Sequence, residues 1–379
     1  MDITHFLSLL GGLALFLYGM QMMSTGLEAA AGNRMKQILE KLTANRFLGV
    51  AVGAGITAVI QSSSATTVMV VGFVNSGMMT LRQAVWIIMG ANIGTTITGQ
   101  LIALDVGAMA PLFAFIGVAM VVFLKKAVFH HYGQIIAGLG ILFLGMDMMS
   151  SSMLPLRESE AFISLMTRFS NPLLGILAGA LFTAIIQSSS ASVGILQALA
   201  GSGLISLSSA VYVLFGQNIG TCITAVLASI GTSRNAKRTT IIHLLFNIIG
   251  TVLFTTICMF FPLTDLVESF TPSNPAAQIA NMHTLFNITT TILLLPLGNQ
   301  LAAIATRILP ERAYEDSQTQ KLLYIKPLDT LPDSKMGNSA IAVNSLRQEL
   351  SRMAGMVEHN VDESFLAVLD GKAERLPGG

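Results

Sequence analysis

The sequence predicts an all-α polytopic membrane protein with two inverted-topology repeats, each carrying a re-entrant helical hairpin, followed by a short cytoplasmic helical tail. Three observations point there. Hydrophobic residues make up 53% of the chain and charged residues 11%, with a mean hydropathy of +0.68, whereas soluble domains carry about 25% charged residues. Uncharged stretches of spanning length, about 20 residues, recur along the chain. Within two apolar stretches the same hydroxyl-rich cluster appears, at Gln61–Thr67 and again at Gln187–Ser192.

Seven spans are expected, at about 6–24, 83–104, 107–124, 134–152, 210–230, 239–261 and 281–305. The first lacks a preceding Lys or Arg and a small-residue cleavage site, so it is read as a retained span and not a signal peptide. Between the spans, segments 47–80 and 171–205 hold no charged residue, and glycines and hydroxyls interrupt them halfway. Each is read as two short helices with a break at the serines. Such a break is tolerated at membrane depth only where its free backbone groups face protein or water. The only cysteines, Cys222 and Cys258, lie in apolar segments, which excludes a disulfide framework or a cysteine metal site and leaves them as packing residues. A net charge of +1 says nothing of nucleic acid; charge placement here reports topology instead.

Sliding the chain on itself gives one offset, 126 residues. Gly19-Met-Gln-Met-Met-Ser matches Gly145-Met-Asp-Met-Met-Ser; Thr57-Ala-Val-Ile-Gln-Ser-Ser-Ser-Ala matches Thr183-Ala-Ile-Ile-Gln-Ser-Ser-Ser-Ala; Asn92-Ile-Gly-Thr matches Asn218-Ile-Gly-Thr. Arg34, Lys36, Lys41 and Arg46 follow the first span, so that loop is placed in the cytoplasm and the N-terminus outside. Arg82, Lys125, Lys126 and the cluster Arg234, Lys237 and Arg238 then also fall inside. The counterpart of that last cluster, 108–112, has no cation and falls outside, so the copies are expected to run in opposite directions. Trp86, Tyr132 and Tyr212 fall near predicted interfaces, as an aromatic belt does.

The domain plan is repeat 1 over 1–133, repeat 2 over 134–238, two further transmembrane helices over 239–308, and a cytoplasmic linker and helical region over 309–379. In the third part, His243-Leu-Leu-Phe-Asn247 recurs as His283-Thr-Leu-Phe-Asn287, each placing His and Asn on one helix face. Past Leu309, charge returns and Pro310, Pro327 and Pro332 punctuate a loop; a helical pattern begins near Asn338, with an apolar stripe at Ile341, Leu346, Leu350, Met353 and Met356.

Burying so many hydroxyls and amides costs on the order of 1 kcal/mol or more each unless they are satisfied, which points to a bound polar ligand. A broken helix aims backbone N–H groups and the positive end of its dipole into the break, holding an anion without a formal cation. Hydroxyls both donate and accept. Ser62, Ser63, Ser64 and Ser188, Ser189, Ser190 can therefore bond a tetrahedral oxyanion, while lone pairs there, with the amides of Gln61 and Gln187, coordinate a small hard cation. No Arg or Lys lies in either hairpin, so a co-bound cation would supply the missing positive charge and make the two bindings interdependent.

At these residues the chain resembles the sodium-dependent phosphate cotransporter family, over about residues 10–305. The likeness rests on Gln61–Thr67 with Gln187–Ser192, on Asn92–Thr95 with Asn218–Thr221, and on the two His-x-x-Phe-Asn segments. It implies inorganic phosphate as substrate, bound by Gln61, Ser62, Ser63, Ser64, Gln187, Ser188, Ser189 and Ser190, and sodium as the coupling ion. Candidate sodium-binding residues are Thr66, Thr67, Asn92, Thr95, Ser192, Gln217, Asn218 and Thr221. The copies differ at Ala91 against Gln217 and Thr96 against Cys222, which places the sodium site nearest Gln217 and Asn218.

The expectation is then a symporter working by alternating access at the membrane midplane. It would sit in the inner membrane, C-terminus cytoplasmic, its partners being phosphate, sodium and lipid, with no cofactor and no nucleic acid; a homodimer is compatible with the sequence. The tail from about 334 is similar to the start of a PhoU-like region. Competing readings are a membrane-anchored phosphate sensor acting through that tail, a phosphate exporter, and an intramembrane serine hydrolase pairing a serine with His243. The Asn-Ile-Gly-Thr pairs suit helix packing as well as ligand contact, His243 and His283 suit structural hydrogen bonds, and Asp147, where the first copy has Gln21, is a functional candidate as an intramembrane carboxylate.

Overall fold

A computed structural model describes residues 2–31, 45–104, 107–310 and 339–370. Arg34, Lys36, Lys41, Pro327, Pro332 and residues 371–379 lie outside the described part, as do the side chains of residues 339–345 and 363–370. Two compact units are present, Met1–Leu309 and Pro310–Gly379. The described residues are helical, and five helices are long and apolar enough to cross a membrane; counting two bent pairs as single spans raises this to as many as seven.

In chain order the first unit holds α1 (Ile3–Ala31), α2 (Arg46–Ile60), α3 (Ser63–Asn75), α4 (Leu81–Ile102), α5 (Ala110–Phe123), α6 (Ala127–Met153), α7 (Glu160–Arg168), α8 (Pro172–Ile186), α9 (Ser189–Gly201), α10 (Leu207–Gly220), α11 (Cys222–Ala228), α12 (Arg234–Phe260), α13 (Leu263–Phe270), α14 (Pro275–Leu294) and α15 (Gly298–Ile308). The 126-residue offset is structural as well as textual. Both bounds of α2 and α8 differ by it, as do those of α3 and α9, and α4 is matched by α10 and α11 together. Their caps repeat too: Asn45 Oδ1 accepts from Phe47 N at 2.9 Å and Asn171 Oδ1 from Leu173 N at 3.1 Å.

Close glycine contacts set the packing. A Cβ on Gly53 would lie 2.2 Å from Ile87 O and one on Gly90 2.0 Å from Val50 O, joining α2 to α4 backbone to backbone. The counterparts Gly179 and Gly216 do the same for α8 and α10, each 2.0 Å from a carbonyl, Val213 O and Ile176 O. Between α1 and α6, Gly12 meets Gly145 and Met149, Gly19 meets Gly138 and Leu142, and Gly26 meets His131 and Ile135. As the number rises on one helix it falls on the other, so the two run antiparallel.

Three expectations are corrected. The span at 281–305 is broken: Pro296 cannot continue a helix, and α14 and α15 meet at 85°. The stretch 107–124 is a 3-10 turn at Gly107–Met109 and the 14-residue α5, about 21 Å long at 1.5 Å per residue and short of the ~30 Å hydrocarbon core. Trp86 and Tyr212 are no belt: only 8% and 9% exposed, they sit at equivalent positions with Cβ against Gly49 and Gly175, and the Trp86 ring also covers Gly298. Glycine lets each side chain approach the neighbouring helix closely, and the burial gained there outweighs the ring's liking for the interface. Tyr132 stays exposed.

In the second unit, α16 (Ser339–Asp370) carries Leu346, Leu350 and Met353 on exposed positions, and Arg352 Nε donates to the buried Glu349 Oε1 at 2.8 Å.

Candidate functional site

The two helix breaks are near copies. Gln61 ends α2 at φ 58°, ψ 24°, and Gln187 ends α8 at φ 59°, ψ 20°. They are the only non-glycine residues with positive φ among the described residues. This left-handed conformation turns the chain out of one helix, and the next serine starts another. Ser62 Oγ accepts from Ala65 N at 3.1 Å and Ser188 Oγ from Ala191 N at 3.2 Å, caps worth about 1 kcal/mol each. Capping uses the oxygen as acceptor and leaves the hydroxyl hydrogen to donate. By helix geometry the N–H groups of Ser63, Ser64, Ser189 and Ser190 have no carbonyl within their own helices.

Both breaks open onto one cavity of about 150 Å³, walled by Gln61–Ser64, Gln187–Ser190 and, from α1, Met20, Gln21 and Ser24. Among the described residues no charged one lines it. Two helix N-termini therefore aim their positive ends into an uncharged, hydroxyl-rich space, a setting for an anion. Its volume suits a small inorganic ion; pockets for drug-sized organic ligands run to about 300–1,000 Å³.

The halves are tied across the cavity. Thr98 Oγ1 donates to Gln61 Oε1 at 2.8 Å, and the Gln61 amide nitrogen donates to Ala58 O. Ser190 Oγ lies 3.4 Å from both Gln61 O and Thr98 Oγ1. On the opposite side Thr224, the counterpart of Thr98, donates to Ser64 Oγ at 3.1 Å. Gln61 is buried, whereas Gln187 is exposed.

All eight residues expected to bind phosphate line the cavity; the eight expected to bind sodium do not. Thr66, Thr67, Asn92, Thr95, Ser192, Gln217, Asn218 and Thr221 are buried around it. Thr57 donates to Thr66 at 2.9 Å, and Gln217 Nε2 donates to Ser192 O at 3.0 Å. Asn92 and Asn218 amides donate to Ile88 O and Leu214 O one turn back. Gly94 and Gly220 pack on Ala54 O and Ala180 O, so the Asn-Ile-Gly-Thr segments include tight helix contacts. The buried Thr67 Oγ1 and Gln217 Oε1 have no hydrogen-bond partner, and an unpaired oxygen acceptor is a fit partner for a cation.

His283 lies 3.1 Å from Asn218 Oδ1, and Asn247 Nδ2 lies 3.4 Å from Cys222 Sγ. His243 is buried, and among the described residues no His, Asp or Glu lines the cavity. Sequence reasoning missed Thr98 and the α1 wall. A signal existed for both: Thr98 and Thr224 share the 126-residue offset, and the Met-Gln-Met-Met-Ser text served only to set the register.

Comparison with known proteins gives a consistent picture. A family model described as Na+/Pi-cotransporter matches residues 15–151 and 154–266. "Uncharacterized protein YqeW" of Bacillus subtilis is 32% identical over 78% of this chain and 96% of its own length. The "Putative inorganic phosphate export protein YjbB" of Escherichia coli K12 is 29% identical over 88% of this chain, which spans 61% of that protein. The human "Sodium-dependent phosphate transport protein 2B" is 38% identical over 27% of this chain and 15% of its own. No solved structure matches.

Proposed function

The chain belongs to the Na+/Pi-cotransporter family, and on that premise we propose that it carries inorganic phosphate across a membrane with sodium, by alternating access around the paired serine breaks. The observation that carries this reading is the small uncharged cavity walled by both Gln-Ser-Ser-Ser segments. Phosphate is held by hydroxyls and helix N-termini, and sodium supplies the positive charge that the wall lacks. Neither ion binds well alone, which is what couples their movement.

Inverted halves with hairpins entering and leaving on one face are part of the proposal. The antiparallel run of α1 and α6, with Gly12 on Gly145 and Gly19 on Gly138, favours it: each contact is the other's image under the 126-residue exchange. So does helix length. At 15 and 13 residues, α2 and α3 reach about 22 and 20 Å at 1.5 Å per residue, each too short to cross the ~30 Å core alone.

Labelled phosphate should enter proteoliposomes down an imposed sodium gradient, and replacing sodium with choline should remove that flux; undiminished flux in choline would refute the coupling. An outward carrier is favoured by the relatives named as export proteins, and gradients of either sign tell the two directions apart. Deleting residues 313–379 should leave the flux intact, because every wall residue lies in the first unit. Loss of flux in that truncated chain would instead support a sensor acting through the tail.

A further inference from the structure

The cavity wall is symmetric under the 126-residue exchange except in one strip. Gln61–Ser64 and Gln187–Ser190 exchange with each other, so eight of the eleven wall residues form a closed set. Met20, Gln21 and Ser24 of α1 do not: their counterparts Met146, Asp147 and Ser150 of α6 stand outside the wall.

Packing is unequal in the same sense. α1 packs against α2 and α6 against α9, while among the described residues the equivalent pairs, α6 with α8 and α1 with α3, make no comparable contact. Ser24 Oγ donates to Ile60 O at 2.6 Å, but its counterpart Ser150 donates to Ala198 O at 3.4 Å, a carbonyl whose own counterpart is Gly72. Phe16 rests on Gly194, yet Val68, the counterpart of Gly194, is 41% exposed. A body of two like halves held in unlike positions has a second arrangement of equal local geometry, in which the halves trade places. There α6 takes the position of α1 against the breaks.

We infer that Asp147 is a wall residue of this same cavity in the traded arrangement, standing where Gln21 stands in the present one. The inference rests on the alternating-access reading. Asp147 is exposed on α6, a helix long and apolar enough to cross a membrane; an intramembrane carboxylate is costly against hydrocarbon and marks an ion path where it is solvated. The exchange makes the two orientations of the site chemically unequal. One presents the neutral Gln21 amide, the other a carboxylate that repels an oxyanion unless a cation lies between them. Phosphate binding in the second orientation therefore depends more steeply on sodium.

The test uses the full chain in a C222A/C258A background with Q21C or D147C, in right-side-out and inside-out vesicles, reacted with a membrane-impermeant maleimide. Q21C should react from one side of the membrane and D147C from the opposite side. Sodium phosphate at ten times its dissociation constant should slow each reaction about tenfold by mass action. Reaction of both from the same side, or a D147C rate unchanged by phosphate where Q21C is protected, overturns the assignment of Asp147 alone; protection of neither sinks the transport reading with it. D147N provides an independent readout. In phosphate counterflow at low sodium it should raise apparent phosphate affinity about tenfold from the D147C-accessible side, the effect of removing one nearby charge, and leave the other side unchanged. An equal effect on both sides, or none, overturns the proposal.

Discussion

Gln61→Ala is expected to abolish phosphate transport and to lower stability, whereas Gln187→Ala loses transport alone. Gln61 holds a left-handed backbone at φ 58°, which costs a residue with a Cβ about 1–2 kcal/mol. Glycine would avoid that cost, so the side chain is what the position is kept for. Its amide spans Thr98 and Ala58, and its carbonyl meets Ser190 of the other half. Removing it leaves the buried Thr98 hydroxyl without its acceptor, a loss of about 1–3 kcal/mol. Gln187 is exposed and its truncation opens no such deficit.

For ligand binding, one hydrogen bond to a charged partner contributes about 1.5–3 kcal/mol, or 10- to 150-fold in affinity. Uptake should fall by at least that factor in both variants, while thermal unfolding in detergent shifts only in the first. Gln61→Gly separates the two effects: it relaxes the backbone, should recover up to about 1 kcal/mol of stability relative to Gln61→Ala, and should still fail to transport. Recovery of uptake in the glycine variant would show that the amide has no part in the site.

Gly90→Ala and Gly216→Ala should each prevent the protein from reaching its native packing. A methyl group there would stand 2.0 Å from Val50 O and from Ile176 O, so α4 must move away from α2, and α10 from α8. These contacts are backbone to backbone, with no flexible side chain to yield. Overpacking of this kind costs about 1–3 kcal/mol and occasionally more, and it forfeits the close approach on which membrane helices rely. Yield of monodisperse protein after detergent extraction should collapse. Gly55→Ala and Gly201→Ala, where nothing lies within 4 Å of the added carbon, are matched controls and should be neutral or stabilising by up to about 1 kcal/mol. Equal yields for all four would mean the glycine contacts do not hold the helices together.

The repeat and both breaks were legible because they are written locally. A hydroxyl caps the helix that follows it, and a run of serines inside an apolar stretch marks that break in adjacent letters, twice at one offset; that Gln61 and Gln187 take the left-handed turn was not legible, because glutamine has no preference for it. The eight residues expected at the phosphate site needed only that local text to be found on one cavity wall. The candidate sodium residues come from the same text, and the fold buries them without bringing any of them into the wall. Trp86 and Tyr212 are misplaced by the sequence for the opposite reason: each packs its Cβ on a glycine more than thirty residues earlier, Gly49 and Gly175, and the Trp86 ring covers Gly298, and no local pattern shows which distant residue a side chain will meet.

By itself the sequence determined the membrane class, the 126-residue duplication, the position of each break and the chemistry that the breaks offer, because hydropathy and capping act within a few residues of chain. Only the tertiary structure decided that both breaks share one cavity, that Thr98 fastens Gln61, and that α1 forms the wall while α6 stands aside. Two copies of nearly the same text cannot say which of them faces the cavity. That choice is made by helix contacts between residues far apart in the chain, where two packings of like halves compete.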